Sequence, residues 1–202
     1  MKDLTEIQKD ALRETINISI GRAAATFSQM IQEQIQLSVP EVRVVNSTDA
    51  LDFLKIDADQ EVCYVEQRFE GSYFVSHAML IFAENESLEL VKLFLGGKDL
   101  IEEMSSLETE AMNEIGNIIL NATIGSMANL LKDKISSSLP VCVRTNAKNV
   151  FRQNNMNSSD VSLLFIVDFG VESKKITGYI VLILELNSFD DFVNKLVQSM
   201  TE

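Results

Sequence analysis

Proline, histidine and tryptophan are scarce in this chain: its 202 residues hold two prolines, one histidine and no tryptophan, and only two cysteines. One histidine and no Cys-x-x-Cys leave a zinc site little to be built from. The histidine, His77, falls in an alternating apolar segment, where a structural role is expected. Cys63 and Cys142 do not occupy equivalent places in the chain and read as buried thiols rather than a disulfide. Neither Gly-x-x-x-x-Gly-Lys nor Gly-x-Gly-x-x-Gly occurs, so the common modes of nucleotide binding are unsupported.

Positive charge is also short. Seventeen Lys and Arg face thirty Asp and Glu, a formal charge of −13. Nucleic-acid phosphates demand a basic footprint, and anionic membranes do the same, so both are poor partners. A protein with a basic face is the compatible choice, although acidity also serves solubility alone. No apolar run approaches the ~20 residues that cross a bilayer. Met1-Lys2-Asp3-Leu4-Thr5-Glu6 lacks the basic-then-apolar layout of a secretory signal. A cytoplasmic protein without membrane insertion is expected, and 46% hydrophobic with 23% charged residues suits an ordinary globular core.

Both prolines belong to one repeated unit. Glu14-x-x-Asn17 is followed after 22 residues by Pro40, and Glu114-x-x-Asn117 after 22 residues by Pro140. The copies are offset by 100 residues at all three positions. A third Glu-x-x-Asn, Glu110 to Asn113, has Ser136 in the matching place, so the short motif is cheap and the spaced triple is not. The repeat predicts a single domain, 1–202, built from two related halves of about 1–100 and 101–202.

Each half reads as helix, three strands, helix. Leu4 to Leu37 has helical spacing through Leu12, Ile16, Ile20, Ala23, Phe27 and Met30-Ile31, with Thr5 as N-cap and Pro40 ending the helical option. Strands are expected at Val42–Val45, Val62–Phe69 and Phe74–Phe82, with a turn at Glu70-Gly71-Ser72, then a helix from Asn85 to Leu95 stopped by Gly96-Gly97. In the second half a helix capped by Ser105 or Ser106 runs to about Ile135, its stripe being Met112, Ile115-Gly116, Ile119-Leu120, Thr123, Met127 and Leu130-Leu131. Strands follow at Val141–Val143, Val161–Phe169 and Ile176–Leu186, and Asn187 or Ser188 caps a last helix. The fold class is α+β: two pseudo-symmetric α-β-β-β-α halves share a mostly antiparallel six-stranded sheet with helices over one face. The polar segment Asn146–Asp160 reads as an exposed excursion without a counterpart in the first half.

On a helical wheel Asp10, Glu14, Asn17, Gly21, Ala24, Ala25 and Ser28 form a stripe opposite Leu12, Ile16, Ile20 and Phe27. Exposed faces usually carry long charged residues; an acid, an amide and then small residues suit something lying close against the helix. Glu and Asn outside a helix are commonplace singly, and small residues also make helix contacts, but the repetition with matched prolines outweighs both.

This pattern resembles the CheC/CheX/FliY family of chemotaxis phosphatases, whose signature is an acid or serine, three residues, Glu, two residues, Asn, 22 residues, Pro. Asp10, Glu14, Asn17 and Pro40 match it; so do Glu114, Asn117 and Pro140, with Glu110 where Asp or Ser is usual. Length and two-fold layout are closer to CheC-type members than to the shorter CheX type or to the FliY type, which adds a C-terminal domain. The resemblance implies hydrolysis of the aspartyl phosphate on the response regulator CheY. Asn17 and Asn117 would orient the attacking water, and Glu14 and Glu114 would pair with a regulator lysine. Asp10, Gly21, Glu110 and Asn121 would lie at the docking surface. The chain would carry no cofactor or metal of its own, the Mg²⁺ sitting on the regulator. The competing expectation is a non-catalytic adaptor for a response regulator or a CheD-like deamidase. Two departures stand out. The family's Glu-Ile-Gly-Asn survives as Glu114-Ile115-Gly116-Asn117 but reads Glu14-Thr15-Ile16-Asn17 in the first copy. The family's Gly four residues past the catalytic Asn is kept as Gly21, whereas Asn121 projects an amide expected to obstruct docking, favouring the first site.

Overall fold

The computed structural model describes residues 4–31, 34–46, 49–72, 75–96, 106–153, 161–171, 174–184 and 186–201. The first helix, α1 (Glu6–Ile31), starts with a reciprocal cap: Gln8 N–H donates to Thr5 Oγ1 at 3.3 Å, and Thr5 N–H donates to Gln8 Oε1 at 2.9 Å. Two amides that a helix start leaves orphaned are thereby satisfied. Leu12, Ile16, Ile20, Ala23 and Phe27 are buried as their spacing predicts, but Met30 is 45% exposed, lying in the last turn before the helix stops.

Pro40 does not end this helix. Strand β1 (Ile35–Asn46) has already begun, and Pro40 lies inside it. It pairs on one side only, with β6 (Val161–Val171), and its register slips between Ser38↔Asp168 and Glu41↔Ile166, three steps against two. An edge strand at a bulge tolerates a residue without an N–H. The second half repeats the device. Helix α4 (Ser106–Leu130) ends short of Ile135; β4 (Ser136–Ser137) and β5 (Val141–Asn146) then lie along β2 (Glu61–Glu70). Ser137↔Phe69 and Val141↔Glu66 again put one extra residue on the proline-bearing side, four steps against three.

Strands β3 (Val75–Ala83) and β7 (Lys174–Leu184) complete a sheet of order β1-β6-β7-β3-β2-β4, with β5 also on β2 and every pairing antiparallel. Because β4 is a two-residue lead into β5, the expected six-stranded layout stands. Each half lends its first strand to the other: β1 pairs with β6, and β4/β5 with β2. The ladders superpose on the 100-residue offset, Leu37↔Phe169 matching Ser137↔Phe69.

Helices α1, α4, α3 (Glu84–Phe94) and α6 (Leu186–Thr201) cover one face of the sheet. Their core joins Leu12, Ile16 and Phe27 to Met112, Ile115, Ile119 and Phe192 over Val65, Leu80 and Phe165, and Phe27 stacks on Phe94 at 5.9 Å. Each such side chain stabilises the fold by roughly 1.5–3 kcal/mol relative to exposure. Gly96, at φ 75°, follows α3 in the left-handed conformation that glycine favours. Helix α6 begins before Asn187 and Ser188, which occupy its first turn instead of capping it. The boundary expected near residue 100, the Ser105 cap and Gly97 lie outside the described residues.

Helices are not confined to one face. Short α2 (Ala50–Phe53) and α5 (Ala147–Gln153) pack on the other, where Leu54, Tyr64, Met79, Ala147, Val150 and Tyr179 form a second core. The stretch after Asn146 is therefore helical over Ala147–Gln153 and does have a first-half counterpart, α2. Its anchors are Ala147 N–H to Gln60 O at 2.9 Å and Lys148 N–H to Ala58 O at 3.0 Å. Residues 154–160 of the expected excursion lie outside the described residues. Cys63 and Cys142 are free thiols on β2 and β5, with Sγ atoms 3.3 Å apart. Among the described residues no helix is long and apolar enough to cross a membrane.

Candidate functional site

Helix α1 presents the first copy of the motif. Ala11, Thr15, Ile16 and Ser19 point inward, and this leaves Asp10, Glu14, Asn17 and Gly21 exposed on the opposite side. Asp10 makes an exposed ion pair with Arg13 at 3.3 Å, one turn along its own helix. A Cβ built on Gly21 would meet nothing within 4 Å, so the fold itself gives no reason for glycine there. Close approach of something outside the chain is a reason compatible with that openness.

Helix α4 presents the second copy differently. Glu110 and Glu114 are exposed, but Asn117 and Asn121 are half-buried. The cause is how closely this helix sits on the sheet. A Cβ on Gly116 would fall 2.5 Å from Val65 Cγ1 and 2.6 Å from Val65 Cβ, so only glycine permits this approach to β2. The matching residue on α1 is the buried Ile16.

With the helix this close, Asn121 reaches the strand. Its Nδ2 lies 2.8 Å from Asn117 Oδ1, 2.7 Å from Asn117 O and 3.2 Å from Gln67 Oε1, its two protons shared among the three acceptors. Gln67 is only 3% exposed, and its own Nε2 donates to Ser138 O at 2.8 Å. Ser138 is clamped to β2 by two further bonds, its N–H to Arg68 O at 2.9 Å and Arg68 N–H to its Oγ at 3.0 Å. The amide expected to stand in a partner's way is thus turned toward Asn117 and the sheet. A polar chain runs from Asn117 to the segment that carries Pro140.

That segment is more open than its first-half counterpart. Leu139 is 85% exposed and Val141 50% exposed, whereas Val39, which matches Leu139, is buried. Asn113 is half-buried with Oδ1 out of solvent, so Glu110 and Asn113 do not form a third exposed pair. The place of Gln67 beside Asn121 was not legible: it lies outside the motif, on a strand 54 residues before Asn121. Among the described residues no group of three or more His, Cys, Asp or Glu is arranged to hold a metal ion.

No family model matches the chain. It is 26% identical over 140 residues to the CheY-P phosphatase CheC of Bacillus subtilis, an alignment covering 68% of this chain and 66% of that protein. It is 27% identical over 141 residues to the flagellar motor switch phosphatase FliY of the same organism, covering 68% of this chain and 36% of that one. The chain thus spans just under two thirds of the first relative and about a third of the second. Among solved structures, Thermotoga maritima FliY has the same fold, with a TM-score of 0.76 at 22% identity over 99% of this chain and 98% of that one.

Proposed function

Because the chain belongs to the CheC/CheX/FliY family of chemotaxis-associated phosphatases, we propose that it hydrolyses the aspartyl phosphate of a CheY-type response regulator. The observation that carries this reading is the repeated Glu–Asn pair, Glu14 with Asn17 and Glu114 with Asn117, on equivalent turns of two long helices, with Glu14, Asn17 and Glu114 exposed and Asn117 half-buried.

An acyl phosphate is already activated, so hydrolysis needs chiefly a positioned water and stabilisation of charge. The carboxamide of Asn17 or Asn117 enters the regulator's site and orients water in line with phosphorus. An amide both donates and accepts hydrogen bonds without taking up charge, which suits this role. As the water oxygen bonds to phosphorus, the bond from phosphorus to the aspartyl oxygen breaks; the carboxylate is restored and inorganic phosphate leaves. Glu14 or Glu114 pairs with a lysine of the regulator and sets the register. Asp10 and Glu110, one turn earlier, face the rim of the partner. The Mg²⁺ of the reaction belongs to the regulator, which supplies its ligands.

The test is the decay of phosphorylated CheY-type regulator with and without this protein. Wild type accelerates it, Asn17→Ala and Asn117→Ala each retain part of the acceleration, and the double variant loses it. Full acceleration by the double variant puts the chemistry elsewhere. Binding of the phosphorylated regulator without acceleration by wild type identifies an adaptor instead.

A further inference from the structure

The two halves agree in ladder register yet differ at two positions that meet in space. Superposed on the 100-residue offset, Asn121 corresponds to Gly21 and Gln67 to the buried Val167. Only the second site therefore has the chain Asn117, Asn121, Gln67, Ser138, in which Gln67 comes from β2 of the first half. A glutamine amide buried beside Val65 is costly unless both its ends are paired. Here they are: Oε1 accepts from Asn121 at 3.2 Å, and Nε2 donates to Ser138 O at 2.8 Å. Gln67 is in turn what Asn121 leans on, and Asn121 reaches across one helical turn to Asn117 Oδ1 at 2.8 Å.

We propose that Asn121, braced by Gln67, is a positioning residue that holds the carboxamide of Asn117 in one orientation, making the second site a preorganised version of the first. The hold leaves the amide able to work. Asn117 Oδ1 retains a second lone pair and Nδ2 retains both protons, so water can still be bound. At the first site Gly21 has no side chain to offer Asn17. That carboxamide therefore pays the cost of ordering only when a partner docks, and at the second site this cost is met in advance.

The kinetic half of this inference rests on the phosphatase reading; the structural half does not. Side-chain amide NMR of the free protein tests the structural half. Asn117 Nδ2 is expected to show restricted motion and Asn17 Nδ2 free motion. Asn121→Ala and Gln67→Leu should each bring Asn117 to the mobility of Asn17. Equal mobility of both amides in wild type, or no change in Asn117 in either variant, overturns the proposal. Backbone amide spectra of the same samples show that each variant is folded.

The kinetic half is measured in an Asn17→Ala background, which isolates the second site. Asn121→Ala and Gln67→Leu are expected to lower kcat roughly tenfold or more, up to the ~100-fold that a misplacement of about 1 Å can cost, with KM changed less than about twofold. Asn121→Asp keeps the shape but offers only acceptors, and should fall at least as far. Unchanged kcat in all three, or a loss confined to KM, overturns a positioning role. If wild type accelerates no regulator's dephosphorylation, the proposed function fails, and the NMR result still decides whether Asn117 is held.

Discussion

The second site depends on how closely α4 approaches β2, and Gly116→Ala perturbs that distance with one methyl group. Carbon atoms in contact normally sit about 3.5–4.0 Å apart, while the new Cβ would lie 2.5 Å from Val65 Cγ1 and 2.6 Å from Val65 Cβ. Val65 is fully buried in the ladder between β3 and β5, so its Cβ cannot swing aside as the end of a long side chain would. The helix must instead back off by about 1 Å. Overpacking of this kind costs about 1–3 kcal/mol, and the better helix propensity of alanine returns about 1 kcal/mol. A net loss of roughly 0–2 kcal/mol is expected in urea unfolding, without a change in m value. The same displacement lengthens the 3.2 Å bond from Asn121 to Gln67 beyond hydrogen-bonding range. Asn117-dependent phosphatase activity should therefore fall in the folded variant while Asn17-dependent activity persists. A Gly116→Ala protein about 1 kcal/mol more stable than wild type, the full propensity gain with no steric cost, would refute the steric argument.

Three further outcomes follow from other parts of the structure. Loss of both Asn17 and Asn117 to alanine should abolish acceleration of regulator dephosphorylation while thermal unfolding stays close to wild type, since Asn17 is exposed and Asn117 half-buried. Burial, reinforced by the Glu66 carboxylate, pushes the Tyr64 phenol up to about 12. Its contribution to stability is whole below the unfolded value of about 10 and is lost as pH rises through about 12; alkaline unfolding of wild type against Tyr64→Phe checks this, the variant declining less steeply. Cys63, held up by its bond to Cys142 and by burial, and Cys142, held down as the partner in that bond, should alkylate in the order Cys142 then Cys63. Mass spectrometry of native protein treated with iodoacetamide near pH 8 reads the order, and faster modification of Cys63 contradicts it.

Helix faces and long strands were legible because burial on one side imposes a period, and residues such as Leu12, Ile16 and Ile115 obey it. The role of the prolines was not. A proline after a helical pattern reads as its terminator, whereas Pro40 lies inside an edge strand. Edge position is a property of the assembled sheet and leaves no local trace. The helix α5 was hidden for a related reason. Its core anchors are Ala147 and Val150 in a stretch otherwise mostly polar, and a helix of seven residues leaves too few buried positions for a period to show. The exposed stripe Asp10, Glu14, Asn17 and Gly21 was legible from spacing alone. Asn121 was not, because reading its role requires knowing that Gln67 faces it.

The differences between the halves are coupled, and that coupling argues against drift at single positions. Asparagine at 121 gains a strand acceptor only because 67 is glutamine. Glutamine at 67 is tolerated in the core only because Asn121 and Ser138 satisfy it. The bond from Asn121 to Gln67 needs α4 close to β2, which needs Gly116. At the first site Ile16, Gly21 and Val167 form the alternative set. The helix packs through a large apolar residue, the strand position is apolar and buried, and the stripe carries no second amide. Moving any one residue across would leave a buried amide unpaired, a clash or an unsupported side chain. One motif thus sits on two internally consistent supports. The first leaves its asparagine exposed and open to a partner; the second draws its asparagine half into the protein and ties it to the sheet.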